Sequence, residues 1–300
     1  MTSDLRHLMP KAATMVSRTS EERIEYACRK HWLGYPVART TIDRMRQIMV
    51  YPRSMSDGNL LISSRPGNGK SMILHQFWKK QSILQSPNPD DTVIPIIAIE
   101  IAGKATLSRF FSLILNAMMQ PHGERTALDA LEPLTRRILE RYQVRIILID
   151  EFSNLAGGLK NSEEILKTMR NLNNTLGISF ICAGTNAAGH VLSTDLQMAR
   201  RFQTIILPFW EFGDDYRDLL ASFEQVLPLA LPSHLKSDEN LSLAKKIYAM
   251  GGESIAGTAH VLKLAAREAI LSGSECITLK TLSVINWSAP ESMGLSDEKY

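Results

Sequence analysis

The chain has 300 residues, of which 44% are hydrophobic and 22% charged, and its formal net charge is +3. Such a composition is typical of a globular protein with a sizeable core, and so small a charge does not establish a nucleic-acid partner. Its three cysteines are scattered without a C-x-x-C pair, which gives no indication of a disulfide framework or a zinc site. No run approaches the roughly 18 apolar residues of a membrane span, and the start lacks the apolar core of a signal peptide, so a cytoplasmic protein is expected.

Residues 1–50 are expected to form an N-terminal helical extension. Ser20 is the predicted cap of a helix that runs through Cys28, and a break is expected at Gly34-Tyr35-Pro36. After the break, apolar residues recur with helical spacing over residues 38–50, which predicts an amphipathic helix.

Strands and helices are then predicted to alternate over residues 51–209. The strands are expected at 59–63, 93–101, 144–149, 178–183 and 204–207, and the helices at 70–81, 106–119, 131–142 and 163–176, the second with Thr106 as its N-cap. Strands this uniformly apolar are expected to be buried on both faces. The pattern predicts an α/β fold with a central parallel sheet flanked by helices, and it places ligands at the carboxyl ends of the strands.

From Trp210 onward, helical patterns replace the strand signals. Helices are expected at 214–226, 241–250 and 254–272, which predicts a C-terminal helical lid over residues 210–285. Residues 286–300 are expected to form a flexible tail.

A glycine-rich segment between the first strand and the next helix predicts a phosphate-binding loop. Its backbone amides and the helix N-terminus can surround phosphates, Lys70 can reach the β and γ groups, and the Ser71 hydroxyl can ligate Mg²⁺. The alternative is a chance glycine-rich turn, and Ser64 stands where the pattern usually has its first glycine. The candidate nucleotide-binding residues here are Ser64, Pro66, Gly67, Asn68, Gly69, Lys70, Ser71 and Met72.

Two adjacent carboxylates, Asp150 and Glu151, follow the buried strand 144–149. Asp150 can hold Mg²⁺, and Glu151 can accept a proton from the water that attacks the γ-phosphate. A solvated strand end is the alternative for this pair in isolation. Together with the phosphate loop, the pair predicts ATP binding and favours Mg²⁺-dependent hydrolysis to ADP and phosphate.

The polar residues Thr185 and Asn186 follow the strand 178–183 and are expected beside the other strand ends. Either side chain could sense the γ-phosphate. An ordinary turn is an equally good interpretation of Asn186 taken alone.

Adjacent arginines, Arg200 and Arg201, precede the last strand. Either guanidinium could reach the nucleotide of a neighbouring subunit as an arginine finger, which requires a homo-oligomer. The alternative is that the pair only solvates a helix end.

Several segments in the same order resemble TniB, the TnsC-type AAA+ ATPases of Tn7-like and related transposons. The resemblance extends along the chain and rests on the residues at 7–8, 32–36, 67–71, 148–151 and 199–202. It implies an AAA+ P-loop NTPase that oligomerises as a ring or filament on double-stranded DNA. It further implies that the protein regulates DNA transposition through target selection and transposase activation, with a transposase and a TniQ-like adaptor as partners.

The resemblance also assigns further residues. It implies that Tyr35, Pro36 and Val37 line the adenine pocket, although Tyr35 could be a plain packing residue. For DNA, Lys104 is the expected pore-facing contact, with Thr106 beside it. The chain departs from the family pattern in its lid, which has Ser254, Thr258 and His260 where many AAA+ proteins place a sensing arginine. The alternatives are a helicase loader or replication initiator, a small-molecule kinase, and a nucleotide-dependent scaffold that does not hydrolyse ATP.

Overall fold

A five-stranded parallel sheet forms the centre of the larger part of the chain. The computed structural model describes residues 5–52, 58–81, 93–103, 105–123 and 126–287. The strands are Asn59–Ser63 (β1), Ile96–Glu100 (β2), Ile146–Asp150 (β3), Ser179–Gly184 (β4) and Phe202–Ile206 (β5). Their order is β2-β3-β4-β1-β5, and every pair is parallel. The predicted α/β class with a central parallel sheet is therefore confirmed.

Burial differs between the inner strands and the edges of the sheet. The central strands β1 and β4 are buried throughout, because helices cover both faces of a parallel sheet. β5 is instead partly exposed on both faces, at Gln203 on one and at Thr204 and Ile206 on the other, and among the described strands it pairs only with β1. The expectation that the strands are buried on both faces is therefore wrong for β5 and also for β2, which exposes Ala98 and Glu100 on one face.

The helices that accompany the sheet include most of those predicted. They are Pro36–Val50 (α3), Lys70–Gln81 (α4), Leu107–Ala117 (α5), Leu128–Arg141 (α6), Leu159–Leu176 (α7), Asn186–Ser193 (α8) and Leu196–Ala199 (α9). Thr106 caps α5 as predicted, with its hydroxyl accepting from the amide of Arg109. Neither α8 nor α9 was predicted, because the short segments lack a clear 3.6-residue period.

A second compact unit consists of the described residues up to Tyr35, Gly67–Gly69 and the described residues from Pro208 onward. Its helices are Pro10–Val16 (α1), Ser20–Cys28 (α2), Asp214–Glu224 (α10), Leu241–Gly251 (α11), Ile255–Leu271 (α12) and Leu279–Val284 (α13). We call it the helical unit and the remainder the sheet unit. The three predicted C-terminal helices correspond to α10, α11 and α12.

The boundaries of these units differ from the predicted domain boundaries. The residues up to Tyr35 cluster with the C-terminal helices, whereas α3 belongs to the sheet unit. The N-cap of α2 is Thr19, which forms a reciprocal capping box with Glu22, so the expected cap at Ser20 is wrong by one residue. Most of the predicted tail, from residue 288, lies outside the described residues. The adenine-pocket role of the N-terminal extension stays a prediction.

Gly257 permits close packing between α11 and α12. A Cβ atom at this position would lie 1.9 Å from the carbonyl oxygen of Gly251, a distance that only a backbone shift could relieve. We expect Gly257→Ala to lower the free energy of unfolding by about 3 kcal/mol, measured by urea denaturation. Gly189→Ala is the matched control, because a Cβ atom on this helical glycine would meet nothing within 4 Å. Equal effects of the two substitutions would contradict the packing argument.

Candidate nucleotide-binding site

The glycine-rich segment connects the end of β1 to the first residue of α4. Lys70 is that first helical residue and is only 9% exposed. Its Nζ atom donates to the backbone oxygens of Ser64 and Arg65, at 2.9 Å each, and to the Ser64 hydroxyl at 3.2 Å. Lys70 is therefore turned back over the loop that precedes it, from where its Nζ could reach phosphates bound by that loop.

Ser64, which stands in place of the usual first glycine, does not strain the backbone. Its φ angle lies outside the left-handed region, so the position does not require glycine. The residue is 2% exposed, its amide donates to the carbonyl of Gly184, and its hydroxyl accepts from Lys70. The serine thus contributes a hydrogen bond to the lysine that a glycine could not make.

The tip of the loop, Gly67-Asn68-Gly69, has the backbone of an anion-binding turn. Both glycines have positive φ angles, 72° for Gly67 and 88° for Gly69. Among the described residues, the amides of these three residues donate no hydrogen bond to any acceptor. Unpaired amides in a glycine turn before a helix N-terminus can bind phosphate oxygens, so this segment fits the predicted ligand.

The predicted carboxylates lie at the carboxyl end of β3. Asp150 is the last residue of that strand, and its Oδ1 accepts from the amide of Glu151 at 2.9 Å. Glu151 has a φ angle of 54°, which turns the chain sharply as it leaves the sheet. The side chain of Glu151 is exposed to solvent. The turn therefore delivers two adjacent carboxylates at the strand end.

Both carboxylates influence the pKa of Lys70. Burial lowers the pKa of Lys70, while the negative charges of Glu151 and then Asp150 raise this pKa and partly offset the effect of burial. The sheet unit thus brings together one buried cation and two carboxylates at the carboxyl ends of β1 and β3.

The residues present fit a magnesium ion only with additional ligands. Ser71 is exposed in the first turn of α4, and Asp150 is partly exposed at the end of β3. The described residues contain no group of three or more histidine, cysteine or acidic side chains that could hold a metal. Mg²⁺ bound with a nucleotide uses few protein ligands, because phosphate oxygens and water complete its coordination.

Thr185 and Asn186 lie at the carboxyl end of β4 and are held by different partners. The amide and the hydroxyl of Thr185 both donate to the Ser153 hydroxyl, at 2.6 and 3.0 Å. Asn186, the first residue of α8, accepts from the hydroxyl of Ser63 at 3.3 Å, which connects it to the end of β1. Asn186 therefore contacts the strand from which the phosphate loop begins.

The two arginines before β5 have different environments. Arg201 donates to Asn173 at 2.9 Å and to Asn174 at 2.5 Å, so its guanidinium is held within its own subunit. Arg200 is exposed, and its guanidinium makes no hydrogen bond or ion pair within the part of the chain that the structure describes. The sequence does not show which arginine is available to contact a neighbouring subunit. The contacts show that Arg201 is bonded within its own subunit, whereas Arg200 has no such bond among the described residues.

Tyr35 and its neighbours belong to different units. Tyr35 is 7% exposed in the helical unit, and its hydroxyl has no hydrogen-bond partner among the described residues. Burial raises the pKa of Tyr35 to about 12, so its hydroxyl remains protonated at neutral pH and can donate. Pro36 and Val37 open α3 in the sheet unit.

Four further residues were predicted to bind the nucleotide or DNA. Pro66 is exposed in the turn of the loop, and Met72 is half-buried in the first turn of α4. Thr106 is occupied as the N-cap of α5, and Lys104 lies outside the described residues. No helix in the described ranges combines the length and apolar character needed to cross a membrane.

Sequence reasoning missed Ser153, which organises the end of β4. In addition to its bonds with Thr185, its Oγ lies 2.6 Å from the position that a Cβ atom on Gly184 would occupy. Gly184 therefore makes room for the serine. No sequence signal identifies this pair, because the contact crosses between two strand ends.

The family model described as "Bacterial TniB protein" matches residues 23–212. A comparison with the curated proteins finds no match. Among solved structures, the Aeropyrum pernix ORC2 protein in its ADPNP–ADP complexes is 16% identical, with a TM-score of 0.59 over 87% of this chain and 70% of that one. The Aeropyrum pernix ORC1 protein in complex with DNA is 15% identical, with a TM-score of 0.55 over 82% and 63%.

A third similar structure is domain III of the Thermotoga maritima replication initiation protein DnaA. It is 15% identical, with a TM-score of 0.52, and the match covers 92% of this chain and 95% of that one. At these identities the three structures inform on the fold alone. The fold is that of AAA+ proteins, as predicted.

Proposed function

The chain belongs to the bacterial TniB family, and from that premise we propose that it is an ATP-hydrolysing AAA+ regulator of DNA transposition. The observation that carries the nucleotide part is the placement of Lys70. This buried cation lies over the phosphate loop within the electrostatic influence of Glu151 and Asp150. A buried lysine after β1 and two carboxylates at the end of β3, on the same edge of one parallel sheet, are the groups that phosphoryl transfer from ATP requires.

Each residue has a defined part in the proposed hydrolysis. Lys70 exchanges its bonds to the loop carbonyls for the β- and γ-phosphate oxygens. Ser71 and Asp150 would hold Mg²⁺, which would supply positive charge to neutralise the phosphates. Glu151 takes a proton from a water whose oxygen attacks the γ-phosphorus, and the bond from that phosphorus to the bridging oxygen breaks, releasing ADP and phosphate.

Two further groups complete the proposed site. Asn186 or Thr185 senses the γ-phosphate, and Asn186 is the better candidate because the amide and hydroxyl of Thr185 are both committed to Ser153. Tyr35, Pro36 and Val37 line the adenine pocket. The unpartnered, protonated hydroxyl of Tyr35 supports this role, since a buried donor without a partner is costly unless a ligand accepts from it.

The proposed oligomer brings an arginine from one subunit to the ATP of the next. The exposure of Arg200 and the intramolecular bonds of Arg201 support Arg200 as the finger and Arg201 as a residue that positions it. The residues before Arg200 are held firmly, because Asp195 both caps α9 and accepts two bonds from Arg170.

We further propose that the oligomer forms on double-stranded DNA and communicates with a transposase and a TniQ-like adaptor. The family supports this assignment, as does the ORC1 protein of the same fold that was solved with DNA. Lys104, with Thr106 beside it, is the proposed contact. Because the net charge of the protein is so small, its affinity for DNA would depend on a local basic face. That affinity would fall steeply as the salt concentration rises.

The proposal is tested by measuring phosphate release with and without duplex DNA. We expect MgATP hydrolysis that duplex DNA stimulates, and we expect Lys70→Ala to abolish MgATP binding and turnover. Tight ATP binding without phosphate release on DNA would instead indicate a nucleotide-dependent scaffold. A hydrolysis rate that duplex DNA leaves unchanged would contradict the regulatory role while leaving the ATPase intact.

A further inference from the structure

The tip of the phosphate loop is held by residues of the helical unit. The amide of Ala256, in the first turn of α12, donates to the carbonyl of Gly67 at 2.9 Å. A Cβ atom on Gly67 would lie 3.2 Å from the Cβ of Ala256, so the two segments are in close contact. Gly67, Asn68 and Gly69 therefore cluster with the helical unit, although their neighbours on both sides belong to the sheet unit.

Both polar atoms of the Asn68 side chain form hydrogen bonds. Its Nδ2 donates to the carbonyl of Pro208 at 2.6 Å, and its Oδ1 accepts from the indole Nε1 of Trp210 at 3.1 Å. The residue is only 3% exposed. Because the nitrogen and the oxygen of its buried side chain both bond to these partners, Asn68 fixes the conformation of the loop tip.

Trp210 is itself held in place. It is 5% exposed, and its amide donates to the carbonyl of Glu253, in the segment before α12. Its ring packs edge-on against Tyr35, with 5.2 Å between the ring centroids. The hydroxyl of Tyr35 lies 4.0 Å from the position that a Cβ atom on Gly69 would occupy. Trp210 thus connects the adenine-pocket tyrosine, the loop tip and the start of α12.

We propose that Asn68 and Trp210 are positioning residues that hold the loop tip with its amides available, and so link nucleotide occupancy to the helical unit. This inference rests on the proposed function and concerns the regulation of the same site. A phosphate drawn to the amides of Gly67 and Gly69 shifts the backbone that carries Asn68, and the Trp210 bond transmits that shift.

The first test uses tryptophan emission as a readout of the link. Wild-type protein is titrated with MgADP and with MgATP, alongside Trp210→Phe and the control Trp78→Phe. Trp78 is an exposed residue of α4 that takes no part in the link. We expect a nucleotide-dependent change in emission that Trp78→Phe retains and Trp210→Phe loses. A change that Trp210→Phe retains, or no change in a wild type that binds MgATP, would overturn the inference.

The second test is a double-mutant cycle on MgATP binding by calorimetry. Asn68→Ala and Trp210→Phe are each expected to raise the dissociation constant about tenfold, and the double variant no more than either alone. Thermal unfolding checks that each variant is folded. Unchanged or fully additive dissociation constants would overturn the link while leaving the ATPase proposal standing. If the wild type itself failed to bind MgATP, the proposed function would fall and the link with it.

Discussion

Glu151→Gln is expected to lower the rate of ATP hydrolysis by a factor on the order of 10² to 10⁴ while leaving MgATP binding nearly unchanged. The amide is similar in size to the carboxylate but cannot accept the proton of the attacking water. Its backbone already has a φ angle of 54°, which glutamine adopts as readily as glutamate, so the turn after β3 is preserved. Single-turnover phosphate release and nucleotide binding together provide the measurement.

The matched control for this variant is Asp150→Asn. Because Asp150 is assigned to the metal, its loss should raise the Mg²⁺ concentration required for hydrolysis, whereas Glu151→Gln should leave that concentration unchanged. Rates of wild type and Glu151→Gln that are equal and negligible would exclude the hydrolase assignment. Equal rates that are both substantial would exclude Glu151 as the base and leave hydrolysis intact.

Arg200→Ala is expected to reduce hydrolysis by a factor on the order of 10³, the lower range of what an arginine finger contributes. The exposed guanidinium has no described partner in its own subunit, so the substitution should leave the thermal unfolding temperature nearly unchanged. Arg201→Ala is the control. It removes hydrogen bonds to Asn173 and Asn174 and should therefore lower stability as well as activity.

Mixing two inactive variants tests whether Arg200 acts between subunits. Arg200→Ala retains an intact ATP site, and Glu151→Gln retains the arginine. In a mixed oligomer, a Glu151→Gln subunit can supply its arginine to the site of an Arg200→Ala neighbour, and a fraction of the wild-type rate should return. No recovery, in mixtures shown to co-assemble, would contradict a finger that acts in trans.

The sequence predicts the sheet well because chemical patterns mark its strand ends. The bounds of β1 and α4 agree with the prediction, since an apolar run stops at the glycine-rich loop and the helix begins at Lys70. Asp150 and Glu151 were placed at a strand end by the same reasoning, and the structure has them there. A local pattern suffices when the function itself requires residues that are adjacent in the chain.

Contacts between distant residues could not be predicted in this way. Nothing in the local sequence indicates that Asn68 bonds to Trp210, which is 142 residues away, or that Ser153 holds Thr185 across two strands. The exposure of the edge strands β5 and β2 was also missed, because strand order depends on pairing and not on the apolar character of a single segment. The distinction between Arg200 and Arg201 likewise depends on their neighbours.

The loop tip packs with helices that lie near the C-terminal end of the chain. The site can therefore be completed only late in synthesis. β1 and Lys70 leave the ribosome long before Trp210 and Ala256, the residues that hold Asn68 and Gly67. β5, which pairs with β1 at the edge of the sheet, is also late in the chain. A nascent chain that ends before Trp210 has every residue of the proposed phosphate-binding loop but not the contacts that shape its tip, and we therefore expect nucleotide binding to mature only as synthesis nears its end.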